Sequence, residues 1–198
     1  MRSRLLIAAL VTVLGVAAFL AVRAGTGAGT AAEGATITMA ESRLERCAEP
    51  TGGPVAADSL PELTLPCLGG GPPVSLAAAP GLPMVLNLWA TWCGPCRAEL
   101  PIFQRLHEQA PGSVRMLGVV QQDTVASVGA YAAEMGLNFP SLLDADGELL
   151  TEGGINGLPV TYFVRADGSI AHRQLGPIPS YDALRGLIGE HLGVTVPG

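Results

Sequence analysis

Met84-Val85-Leu86-Asn87-Leu88-Trp89-Ala90-Thr91-Trp92-Cys93-Gly94-Pro95-Cys96-Arg97-Ala98-Glu99-Leu100-Pro101 is the stretch that decides the fold. Met84 to Trp89 is a continuous apolar run interrupted only by Asn87, the pattern of a strand buried on both faces of a sheet. From Pro95 to Gln109 the residues Leu100, Phe103 and Leu106 recur at helical spacing, with Pro95 tolerated in the first turn and Pro101 inside the pattern. The pair Cys93 and Cys96 therefore sits where a buried strand gives way to a helix. Unpaired N–H groups and the positive dipole end at a helix start stabilise a thiolate and lower the pKa of the first cysteine. Cys93 is the expected nucleophile. The short spacing leaves Cys96 close enough to attack a mixed disulfide on Cys93 and resolve it. A structural disulfide or half of a zinc site would use the same residues. However, no second C-x-x-C or H-x-x-x-H occurs, Cys47 and Cys67 have the wrong spacing for a zinc knuckle, and His107, His172 and His191 are scattered.

Outward from this stretch, Glu62–Cys67 and Pro73–Leu76 are short strand-like runs around Gly69-Gly70-Gly71, which predicts an N-terminal hairpin. Val114–Val120 reads as a second buried strand and Val125–Met135 as a helix closed by Gly136. Phe139–Leu143 reads as a short strand, followed by a weak helical piece around Glu148. Val160–Arg165 and Ile170–Leu175 flank Ala166-Asp167-Gly168-Ser169, a hairpin signal through Asp-Gly, and Tyr181–Leu192 is the closing helix. A parallel strand pair joined by a helix, followed by an antiparallel hairpin, predicts an α/β fold with a mixed central sheet covered by helices.

At the N-terminus, Arg2 and Arg4 precede an uncharged stretch from Leu5 to Val22. As a helix it would reach about 27 Å, nearly the apolar thickness of a bilayer. Residues 1–24 are read as a membrane anchor in preference to a cleaved signal peptide, for which Ala28 to Ala32 would supply the small-residue site. The basic residues ahead of the span place the rest of the chain outside the cytoplasm. Residues 25–46, rich in Gly, Ala and Thr, read as a flexible tether, and residues 47–198 as the folded domain. An exported chain keeps disulfides, so Cys47 and Cys67, the pair left over, are expected to form a structural one. The full chain of 198 residues carries 17 acidic against 11 basic residues and no lysine, which offers no basic stripe to a nucleic acid.

Leu86 to Pro101 resembles the signature of the TlpA/ResA-like family of extracytoplasmic, membrane-anchored thioredoxins. Gly157-Leu158-Pro159-Val160-Thr161-Tyr162-Phe163-Val164 resembles that family's second signature. The resemblance covers about Leu60 to Leu192. It implies a thioredoxin-like fold with a strand–helix insertion, here Asp123 to Gly153, and a thiol–disulfide oxidoreductase whose cofactor is the Cys93–Cys96 pair itself. The implied partners are exported disulfide proteins, apocytochrome c among them, and a membrane thiol–disulfide electron donor. Some branches of the family run the reaction in the oxidising direction. Glu99 would tune the cysteine pair and move protons, while Asn87 replaces the buried aspartate of cytosolic thioredoxins. Pro159 would follow a cis peptide bond facing Cys93, with Leu158 exposing its backbone to substrate, and Trp92, Gly94 and Pro95 would complete the docking surface. A metal or haem chaperone using the same two cysteines is the alternative of another class; the lack of a Met/His ligand cluster weighs against it. A peroxidase reading would rest only on fold-level kinship with peroxiredoxins.

Overall fold

The computed structural model describes residues 43–198 apart from Pro54 and Ala56. The expected membrane anchor lies outside the described residues, and no described helix is long and apolar enough to cross a membrane. In chain order the elements are β1 (Thr64–Leu65), β2 (Val74–Ser75), β3 (Met84–Trp89), α1 (Gly94–Gln109), β4 (Arg115–Gln121), α2 (Val125–Met135), β5 (Ser141–Asp144), α3 (Glu148–Glu152), β6 (Val160–Val164), β7 (Ile170–Leu175) and α4 (Tyr181–Leu192).

β3 to β7 form a five-stranded sheet in the order β5-β4-β3-β6-β7. β3 runs parallel to β4 and antiparallel to β6, so the apolar run read from the sequence is the central strand. It is buried along its whole length. β4 pairs parallel with β5, and β6 pairs antiparallel with β7 through the Asp167-Gly168 turn. β1 and β2 make a separate antiparallel hairpin, tied to β5 by a bridge between Cys67 and Leu142. This is the thioredoxin-like arrangement that the resemblance implies: a mixed sheet flanked by helices, an N-terminal hairpin and, within the expected insertion from Asp123 to Gly153, α2, β5 and α3.

Side-chain alternation along the strands sorts the core into two layers. Val85 and Trp89 of β3 and Phe163 of β6 pack with Leu100, Phe103 and Leu106 of α1 and with Leu184 and Ile188 of α4. Leu86 and Leu88 face the other way, with Leu117, Val119, Tyr162 and Leu149, and with Leu65 and Val74 of the hairpin. Period two therefore puts Asn87 and Thr161 on the α1 face, where they are the polar residues among apolar neighbours. The helix ends follow local chemistry. The Thr124 side chain accepts the Ser127 N–H at 3.1 Å and the Ser180 side chain accepts the Ala183 N–H at 3.1 Å. Gly136 and Gly193 close α2 and α4 in the left-handed conformation.

Most strand limits move by a residue or two, and the shifts at β5 and at the start of the packed unit have a local cause. β5 starts at Ser141 rather than Phe139, because Pro140 has no N–H to give to a ladder. It also takes in Asp144, whose carboxylate accepts the Glu148 and Leu149 N–H groups at 2.9 Å each and so caps α3. The packed unit begins before Cys47: Leu44, placed in the tether by its composition, is buried, and the Glu45 N–H donates to the Asn138 carbonyl at 2.7 Å. An apolar side chain with a pocket to fill outweighs the glycine- and alanine-rich character of the residues before it.

Candidate active site

Cys93 is the N-cap of α1, and its Sγ accepts the N–H of Cys96 at 3.2 Å. The structure joins Cys93 to Cys96 and Cys47 to Cys67 in disulfides. Gly94 and Pro95, in the first turn of α1, are exposed. Pro95 fits there because the first helical N–H groups have no intrahelical partner to lose. The helix continues without a break through Pro101. Cys93 is nearly covered, and Cys96 is fully so.

One helical turn beyond Cys96, Glu99 turns into the core and is 1% exposed. Its Oε1 accepts from Asn87 Nδ2 at 2.9 Å and its Oε2 from the Ile178 N–H at 2.8 Å. Burial raises its pKa to about 7, against the smaller opposite pull of the Ile178 and Asn87 hydrogen bonds. A carboxyl held near neutrality is matched to proton exchange with a thiol. Asn87 Nδ2 also donates to Thr161 Oγ1 at 3.1 Å, while Asn87 Oδ1 is buried with no hydrogen-bond partner among the described residues.

Leu158–Pro159 is a cis peptide bond, at the entrance to β6. Pro159 is buried and Leu158 half-buried. Trp92 is 59% exposed. A groove of about 540 Å³ runs from Trp92 and Gln122 past Leu150 and Ile155 to Gly157 and Leu158. The structure thus gathers Trp92 and Leu158 at one groove and sets Glu99 on the buried side of the cysteine pair's own helix. It places Cys47 and Cys67 elsewhere, between the N-terminal segment and β5, where the Cys47 N–H meets Cys67 Sγ at 3.0 Å.

Sequence reasoning missed Thr161, Ile178 and Gln122. Thr161 had a usable signal, since it stands two residues after Pro159 on the strand face opposite Val160. The other two had none.

The sequence matches the Redoxin family over residues 55–186. The thiol-disulfide oxidoreductase ResA of Oceanobacillus iheyensis is 34% identical over 118 residues, which are 59% of this chain and 61% of that protein. The thiol:disulfide interchange protein DsbE of Pseudomonas fluorescens is 33% identical over 119 residues, 60% of this chain and 65% of that one. In both cases the match spans less than two thirds of the relative's length. Among solved structures, a secreted Mycobacterium tuberculosis disulfide oxidoreductase homologous to Escherichia coli DsbE superposes with a TM-score of 0.58 at 29% identity, covering 68% of this chain and 99% of that one. These matches bear out the resemblance carried by the two sequence signatures, and with two thirds of its length inside the family pattern the chain belongs to the Redoxin family.

Proposed function

We propose that this chain is an extracytoplasmic, membrane-tethered thiol–disulfide oxidoreductase that delivers electrons to exported disulfide proteins, with apocytochrome c the leading substrate. The observation that carries the reading is the Cys93–Cys96 pair at the start of α1 with the buried carboxyl of Glu99 one turn along the same helix. In the reduced protein the Cys93 thiolate, stabilised by the helix N-terminus, attacks one sulfur of a substrate disulfide and expels the other as a thiolate. Glu99 then takes the Cys96 proton, directly or through a water. The Cys96 thiolate attacks Cys93 Sγ, the second substrate sulfur leaves, and two electrons have passed to the substrate while Cys93–Cys96 becomes a disulfide. A membrane thiol–disulfide donor returns the electrons. The cysteine pair is its own cofactor. Trp92, Gly94, Pro95 and Leu158 form the docking surface around the nucleophile, with Pro159 closing it from below. The names of the ResA and DsbE relatives support exchange chemistry; the resemblance supports apocytochrome c and the membrane donor.

The direction of flow is measured by equilibrating the protein with a dithiothreitol or glutathione redox series. A potential near that of thioredoxin, about −270 mV, is expected. One near a strong oxidase, about −120 mV, reverses the assignment to disulfide formation with the same residues. Loss of the gene is expected to deplete haem-attached c-type cytochromes, with an added thiol reductant restoring them. Undiminished cytochrome would point to another exported client.

A further inference from the structure

We infer that Asp123, just past the end of β4, is a positioning residue for exchange at Cys93, clamping the loop that carries Trp92 and Cys93 to the β4–α2 turn. The inference rests on the exchange reading of the Cys93–Cys96 pair.

Between the end of β3 and the start of α1 the chain has neither ladder nor helix to hold it. Its internal support is the turn in which the Cys93 N–H donates to the Ala90 carbonyl at 3.2 Å. Residues about thirty positions further along supply the rest. Asp123 Oδ2 accepts both the Thr91 N–H at 2.8 Å and the Thr91 hydroxyl at 2.7 Å. Its other oxygen accepts the Thr124 N–H at 2.8 Å, which fixes the carboxylate against the N-cap of α2. Hydrogen bonds to a carboxylate are roughly twice as strong as neutral ones, so apart from the Cys93–Cys96 disulfide this is the loop's firmest tie.

Trp92 is held by the neighbouring residue. Its indole Nε1 donates to the Gln122 carbonyl at 3.1 Å, and an indole 59% exposed has little packing besides. Gln122 reaches that carbonyl position through a left-handed backbone, φ 48°, which is unfavourable for a non-glycine residue. Its own N–H donates to the Asp144 carbonyl at 2.9 Å, and Asp144 in turn caps α3. The turn at 122–123 is thus fixed to β5 and α2 and presents three acceptor contacts to Thr91 and Trp92. Trp92 and Gln122 both line the groove that continues to Leu158. A polypeptide lying in that groove needs Trp92 in place, whereas a small disulfide needs little beyond access to Cys93.

The test uses the full-length protein and its Asp123→Ala, Asp123→Asn and Thr91→Val variants, with Trp92→Phe as the fluorescence reference. Second-order exchange rates are measured with a cystine-bridged peptide and with hydroxyethyl disulfide, together with the emission anisotropy of Trp92. Displacing a reacting group by an ångström costs up to about a hundredfold, and loosening the groove wall is expected to slow the peptide reaction of Asp123→Ala roughly tenfold while the small disulfide slows less than about threefold. Asp123→Asn, which keeps an acceptor for Thr91 but turns an amide N–H₂ toward the Thr124 N–H, is expected to fall between. Thr91→Val, which keeps the backbone bond, falls between as well and carries the test if Asp123→Ala does not fold. Anisotropy of Trp92 should drop in the same order. Peptide rates at the wild-type level, or equal slowing of both disulfides with unchanged anisotropy, would overturn the positioning role. A wild-type protein that exchanges with neither disulfide overturns the exchange reading instead, and the clamp is then decided by the anisotropy alone.

Discussion

Glu99 is kept out of water yet fully engaged, with one carboxylate oxygen on Asn87 and the other on the Ile178 N–H. Its pKa, raised by burial to about 7 from 4.5, makes a prediction with a definite sign. Between these values the folded protein binds a proton that the unfolded chain has released. The stabilisation is fully present below about pH 4.5 and is lost as the pH rises through about 7, by up to about 3 kcal/mol. Glu99→Gln removes the titration. Urea unfolding of both proteins at about pH 5 and about pH 8 should therefore show the wild type losing ground to the variant by that order. A constant difference would mean that Glu99 ionises in its ordinary range. The same substitution should slow exchange and shift the pH profile of cysteine alkylation in the reduced protein, since a coupled carboxyl and thiol titrate as a group. Superimposable profiles would reduce Glu99 to a packing residue. The near neighbours in this site were legible from spacing: Glu99 follows Cys96 by one turn, and Asn87 sits on the strand leading to it. Thr161 is 74 residues from Asn87, a proximity that the pairing of β3 with β6 creates, and Ile178, in the segment between β7 and α4, is 79 residues from Glu99.

Among the elements, legibility follows the strength of the local signal. α2 and α4 came out with the limits read from the sequence because periodicity, cap and closing glycine agree at both ends. β5 did not, because its extent depends on what β4 offers it: Asp144 joins by pairing with Gln121, against the low strand propensity of aspartate. The hairpin β1–β2 is two residues per strand, too short to be stable alone, and the Cys47–Cys67 disulfide lies where it joins β5. Cross-linking positions 20 residues apart is expected to contribute about 3 kcal/mol by restricting the unfolded chain. The Cys47→Ala, Cys67→Ala double variant should lose stability of that order in urea. It should also retain exchange at Cys93, which lies on a different element. Equal midpoints for variant and parent would show that the hairpin holds its place without the bridge.

At the scale of the whole molecule, the open boundary is where the packed unit starts. Composition put it at Cys47, yet Leu44 is 4% exposed and belongs to the core layer that includes Leu68 and Phe103. Glu45 adds a backbone bond to Asn138 and a side-chain contact with His107 Nε2 at 3.2 Å. The Glu45 side chain is half exposed, so that contact contributes little. Burial of the leucine dominates, worth about 2 kcal/mol when a side chain of this size leaves water. Gly69 makes room for the crossing segment: a Cβ there would meet the Glu45 carbonyl oxygen at 2.0 Å. A chain beginning at Arg43 is therefore expected to be more stable than one beginning at Cys47 by about 2 kcal/mol, with nearly the same denaturant slope. Leu44→Ala in the longer chain should lose most of that advantage, and Gly69→Ala should lower stability as well by pushing the segment off its seat. Equal stability of the two chains would return the boundary to Cys47 and leave Leu44 as a passenger of the tether.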